Sequence, residues 1–104
     1  MKIAGSSPRL WGIQKMVRFN DLQPVYPNPA SDEVSIVYSL EKEGDVSLNL
    51  YNANGQFAEK LDWGKKAKGP HKFNFSTSKI SQGMYYIQIV ANGFIKNRSF
   101  CILR

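Results

Sequence analysis

Val46-Ser47-Leu48-Asn49-Leu50-Tyr51-Asn52-Ala53-Asn54-Gly55-Gln56 is the stretch that decides the fold. Val46, Leu48 and Leu50 alternate with Ser47, Asn49 and Tyr51. An apolar period of two places alternate side chains on opposite faces, which is the pattern of a half-buried strand. Asn54-Gly55 follows at once. A type I′ turn needs φ > 0 at both central residues, and Asn-Gly tolerates this best. The pair therefore predicts a hairpin, with Gln56 to Leu61 as the returning strand.

The same period recurs on both sides of this hairpin. Upstream, Val34, Ile36, Tyr38 and Leu40 share one face and Ser35, Val37 and Ser39 the other, with Gly44-Asp45 as the expected turn. Downstream, Lys65, Lys66 and Lys68 lie beside Gly64 and Gly69 and predict a solvated loop. His71, Phe73 and Phe75 then oppose Lys72, Asn74 and Ser76. Ser81-Gln82-Gly83 predicts a turn, Tyr85, Ile87 and Ile89 another inward row, and Asn92-Gly93 a second hairpin into Phe94–Leu103. No helical spacing of apolar residues is sustained anywhere. Six strands at about ten-residue spacing, with a seventh from the N-terminal segment, predict an all-β fold: an immunoglobulin-like antiparallel β-sandwich of about seven strands. The Cys…Trp…Cys arrangement of antibody domains is absent, so that likeness is architectural.

A chain of 104 residues, 42% hydrophobic and 21% charged, suits one globular domain with a modest core. Residues 1–22 read as an N-terminal extension or linker, with Lys2, Arg9, Lys15 and Arg18 against a lone Asp21; Met16 to Phe19 is a candidate short strand, and Trp11 argues for packing. Gln23 to Pro29 carries three prolines in seven residues and forms a stiff entry to the domain proper, residues 23–104. No run approaches the roughly 18 apolar residues of a membrane helix. Ser6, Ser7, Pro8 and Arg9 interrupt any secretory apolar region, so an export signal is expected upstream, on a larger parent.

The net charge of +6 favours anionic partners: nucleic acid, lipopolysaccharide or an acidic protein surface. The residues for chemistry are sparse. Cys101 is the one cysteine, so no intramolecular disulfide forms, and its apolar neighbours Phe100, Ile102 and Leu103 point to an inert thiol. His71, the one histidine, reads as an imidazole at the edge of the core. Glu41, Glu43 and Asp45 surround Lys42 and read as a solvated turn rather than a calcium site. Tyr51, Tyr86, Phe94, Lys96 and Arg98 interleave aromatic and basic groups, but aromatics on strands usually serve core and cross-strand packing. The expectation is a protein with no catalytic, cofactor or metal site, no nucleic-acid partner and no membrane insertion. Sandwich edge strands invite pairing, which leaves room for a weak dimer.

Five pieces of sequence fall in a telling order: Tyr26-Pro27-Asn28-Pro29; Val46 to Asn52 with Asn54-Gly55; Gly69-Pro70-His71; Ile80-Ser81-Gln82-Gly83-Met84-Tyr85-Tyr86; and a basic, apolar ending with Lys96, Arg98 and Ile102-Leu103-Arg104. Over residues 24–104 this set resembles the C-terminal sorting domain of the type IX secretion system, the Por system of Bacteroidetes. It departs from the family pattern at Gln56, where Arg is common, at Phe75, where Trp is, and at Asn52, where Asp is. The resemblance implies an address rather than an enzyme. Its recognition motif would comprise Pro27, Asn28, Pro29, Gly55, Gly83, Tyr85, Lys96, Arg98, Ile102, Leu103 and Arg104. Its partners would be the type IX translocon and sortase proteins, with the parent cargo domain upstream. The parent would pass through the periplasm and end on the cell surface or secreted, usually after a sortase has removed the domain. The stretch from Asp21 to Tyr26 is the expected place for that cut. Phe94 to Leu103 would present an edge for strand addition, with Lys96, Arg98 and Arg104 steering the encounter. The competing readings are an immunoglobulin-like adhesin or carbohydrate-enzyme accessory module, which glycan binding would favour, and a basic nucleic-acid-binding β domain, which salt-dependent binding to single-stranded DNA would reveal.

Overall fold

Seven strands account for the alternating stretches: β1 (Asp21–Leu22), β2 (Glu33–Leu40), β3 (Gly44–Asn52), β4 (Phe57–Lys66), β5 (Gly69–Ser76), β6 (Gly83–Ala91) and β7 (Phe94–Ile102). They are seen in a computed structural model that describes residues 20–104. The expectations placed on Met16 to Phe19, on Trp11 and on Lys2, Arg9, Lys15 and Arg18 lie outside the described residues. Asp21 and Leu22 belong to the sheet: they pair with Ser39 and Tyr38 of β2, and Leu22 is fully buried.

The strands form two antiparallel sheets, β1-β2-β5 and β4-β3-β6-β7. The chain crosses between sheets after β2, after β4 and after β5, which gives the immunoglobulin-like sandwich expected. The inward rows meet as the alternation demands. Val34, Ile36, Tyr38 and Leu40 of β2 join Val46, Leu48 and Leu50 of β3, Ile87 and Ile89 of β6, and Phe100 and Ile102 of β7 in one buried cluster. Each such side chain contributes about 1.5–3 kcal/mol by leaving water.

Three local expectations change. Gly44 and Asp45 open β3 instead of forming a turn. The bend lies earlier, at Glu41 and Lys42, because Asn20 Oδ1 accepts the Glu41 N–H at 2.9 Å and Asn92 Nδ2 donates to the Lys42 carbonyl at 3.3 Å. The turn at Asn54-Gly55 is not type I′, since Gly55 alone has positive φ, 79°. Asn52 explains the difference: its Oδ1 accepts from Asn54 N at 2.9 Å and from Gln56 N at 3.0 Å, while its carbonyl accepts from Gly55 N at 2.9 Å. This is a type I turn with a left-handed glycine after it. At the other hairpin, Asn92 and Gly93 both have positive φ, 51° and 80°, as a type I′ turn requires.

Lys65 and Lys66 are strand residues of β4, not loop residues. Lys65 meets Glu43 at 3.6 Å and Lys66 meets Asp62 at 3.1 Å. β4 is an edge strand whose register against β3 slips between Leu48 and Asn49 and again between Leu50 and Tyr51. Leu61 and Ala58 are the unmatched residues, and such bulges twist an edge away from further pairing.

Candidate functional site

The prolines of the entry segment move the chain from one sheet to the other. Residues up to Tyr26 still bond to β2: Gln23 N to Val37 O at 2.9 Å, and Tyr26 with Ser35 in both directions at 3.3 and 2.7 Å. Pro27 and Pro29 have no N–H to continue such pairing, and both follow cis peptide bonds. The chain then reaches β7. Ala30 N donates to Cys101 O at 2.8 Å and Ala30 O accepts from Leu103 N at 2.9 Å, a parallel bridge centred on Ile102. Asn28, held between the prolines, accepts the Cys101 N–H on Oδ1 at 3.0 Å. Thus Asn28, set between Pro27 and Pro29, and Ala30 after it form a clasp on the last strand.

A second clasp closes from the loop between β5 and β6. Thr77, fully buried, donates its N–H to Asp32 O at 2.8 Å and its hydroxyl to Ser31 O at 2.9 Å. The Arg104 guanidinium donates to the Thr77 carbonyl and to the Ile80 carbonyl at 2.7 Å. Arg104 N donates to Gln82 Oε1 at 3.3 Å. Gly83, with φ 144°, starts β6 opposite Ile102. The Tyr85 hydroxyl donates to Ser81 O at 2.8 Å while its ring lies 6.0 Å from that of Phe100.

One end of the sandwich therefore gathers Pro27, Asn28, Pro29, Gly83, Tyr85, Ile102, Leu103 and Arg104. Gly55 joins them by register, because its turn follows Asn52, which pairs with Tyr85. Ile102 is buried, and Leu103 is 54% exposed beside it. Lys96 and Arg98 are elsewhere. Lys96 Nζ lies 2.9 Å from Asp21 Oδ1, and Arg98 Nε donates to Leu22 O at 2.8 Å. Both side chains bridge the two sheets at β1, where Asp21 offsets the charge of Lys96. The stretch from Asp21 to Tyr26 is likewise not an exposed linker: Leu22 and Val25 are buried and its backbone is bonded to β2.

A sequence description of the secretion system C-terminal sorting domain matches residues 24–102, from the entry prolines to the last buried residue of β7. The chain belongs to this family. It is a C-terminal sorting signal for type IX secretion, which implies export across the outer membrane to the cell surface or the medium. Among solved structures, dimeric latent PorU from Porphyromonas gingivalis is similar, with a TM-score of 0.66 at 17% identity. The match covers 81% of this chain and 9% of that one, and at this identity it bears on the fold. The comparison with curated proteins gave no match.

Among the described residues no three His, Cys, Asp or Glu side chains gather where a metal ion would sit. No helix among them is long and apolar enough to cross a membrane. Two open depressions stand out: about 230 Å³ beside Phe75 and Ile80, and about 330 Å³ beside Trp63 and Val90. His71 stacks on Tyr38, ring centroids 5.2 Å apart, and its Nε2 donates to Ala67 O at 2.7 Å. Burial, assisted by the nearby Asp62 charge, pushes the Tyr38 phenol up to about 12. Thr77 and Ala30 escaped the sequence reading, and Gln82 showed there only as part of a turn and a motif. Their contacts are to backbone groups, which leave no pattern in residue type.

Proposed function

We propose that the clasped end is the face that the type IX machinery reads, and that the domain itself catalyses nothing. The observation that supports this most is the convergence of motif residues far apart in the chain. Asn28 meets Cys101 and Arg104 meets Thr77 and Ile80, with Leu103 exposed among them. A surface of this kind is available only on the folded domain, so the address is a shape and not a linear tag. Its partners are the translocon and sortase proteins. The parent passes through the periplasm, and the sortase removes the domain at the surface, with the cut N-terminal to Asp21, before the bonded strand begins.

The test is export. Residues 1–104 are fused to the C-terminus of a periplasm-directed fluorescent protein in a bacterium with a working type IX system. Fluorescence outside the cell that disappears when the translocon is deleted is the expected result. A folded, intact fusion retained in the periplasm would overturn the proposal.

A further inference from the structure

Among the described residues β7 is an edge strand, bonded to β6 on one side only. In an antiparallel ladder, successive residues aim their N–H and C=O alternately at the partner and away from it. The parity here is set by Cys101, whose N–H and C=O both point outward, to Asn28 Oδ1 and Ala30 N. Ile95, Asn97 and Ser99 share that parity, so their backbone groups also point away from β6. None of them has a backbone partner among the described residues.

The open stretch is bounded. At one end the Asn92-Gly93 turn closes the β6–β7 hairpin. At the other, Ala30 is already bonded alongside Ile102. Between them the entry segment would have continued along β7, but Pro29 and Pro27 lack N–H groups and Tyr26 is bonded to Ser35 instead. The clasp thus holds the end of β7 and leaves about 14 Å of its edge, from Ile95 to Ser99, unpaired among the described residues. β4, the other edge of the same sheet, carries two register slips that spoil it for pairing. β7 has none: its ladder to β6 runs unbroken from Phe94 to Ile102.

We propose that this stretch is a strand-addition site for an extended polypeptide segment of a partner protein, and that the export machinery takes a second hold there. Alternating donors and acceptors in one line select an extended polypeptide. The side chains on the outer face narrow the choice. Ile95 is 61% exposed and pairs with Val90, which lies across from Ser47 and then Trp63, 64% exposed. The incoming segment therefore places an apolar side chain over Ile95 and polar ones over Asn97 and Ser99. This inference rests on the sorting reading and adds to it a second point of contact, away from the clasped end.

Asn97→Pro tests it. Proline removes one outward N–H and no bond to β6, and edge strands tolerate it. Asn97→Ala keeps the N–H and removes the side chain. All are measured in the reporter fusion of residues 1–104, with folding of the purified chain checked by circular dichroism. Wild type and Asn97→Ala are expected to export alike, and Asn97→Pro to fold and lose about tenfold or more of its export, the equivalent of one lost backbone contact. Ser99→Pro makes the same test should Asn97→Pro fail to fold. A folded proline variant exported like wild type overturns the inference, and so does an equal loss with Asn97→Ala, which would assign the contact to the side chain. Failure of wild type to export overturns the sorting proposal, and this inference with it. Light scattering covers the remaining occupant: a dimer that proline converts to monomer without loss of export assigns the edge to a second copy of this chain and overturns the partner.

Discussion

Gly44 has no room for a methyl group. A Cβ there would stand 2.2 Å from Asn92 Oδ1 and 3.0 Å from its Cγ. The Asn92 amide would have to swing away and give up its bond to the Lys42 carbonyl. We expect Gly44→Ala to cost about 1 kcal/mol in chemical denaturation, the net worth of such a bond. The same change in an Asn92→Gly background should cost almost nothing, because the obstruction is gone and φ of 51° suits glycine. Tyr38 makes a second residue-scale prediction. Its phenol binds a proton more tightly in the fold, with a pKa of about 12 against 10.0. That contribution is complete below pH 10 and is lost as pH rises through 12, so unfolding free energy should fall by about 3 kcal/mol at most over this window. Tyr38→Phe, which keeps the ring over His71, should remove that part of the slope when the two proteins are denatured side by side.

The elements were legible to different degrees, for physical reasons. β2, β3, β6 and β7 sit with one face on the core, so burial imposes the period of two that marks them in the sequence. The parity that buries Phe100 and Ile102 also turns Lys96 and Arg98 inward, a consequence readable from spacing alone. β4 was harder. It lies at an edge, slips register at Leu61 and Ala58, and is largely exposed, so neither its alternation nor its extension through Lys65 and Lys66 shows in residue type. The two Asn-Gly pairs looked alike and form different turns, because Asn52 captures one and nothing comparable precedes Asn92. Asn52→Ala checks this account. It removes the acceptor for the Asn54 and Gln56 N–H groups and should cost about 1–2 kcal/mol. The lost stability should appear as faster hydrogen exchange in the Asn52–Phe57 turn before the rest of the sheet.

For the whole molecule, the candidate site was visible as motifs but not as a structure. Pro27-Asn28-Pro29 and Ile102-Leu103-Arg104 announce themselves in the sequence, yet the bonds joining them run largely through backbone carbonyls and amides that no side-chain pattern encodes. That architecture bears on how the address can be tested. Deleting residues 100–104 removes Phe100 and Ile102, both essentially fully buried, at about 2–5 kcal/mol each. It also removes the partners of Asn28, Ala30, Thr77 and Ile80. The sum rivals the roughly 5–15 kcal/mol that holds a small domain together. The truncated domain should therefore be unfolded by circular dichroism, and its failure to export would report lost structure as readily as lost recognition. Leu103→Ser separates the two. Leu103 keeps its backbone bond to Ala30 and exposes half its side chain, so the change should shift stability by less than about 1 kcal/mol. If the clasped end is read where Leu103 protrudes, the folded Leu103→Ser fusion should still lose export, whereas export at the wild-type level would place the reading elsewhere on the domain.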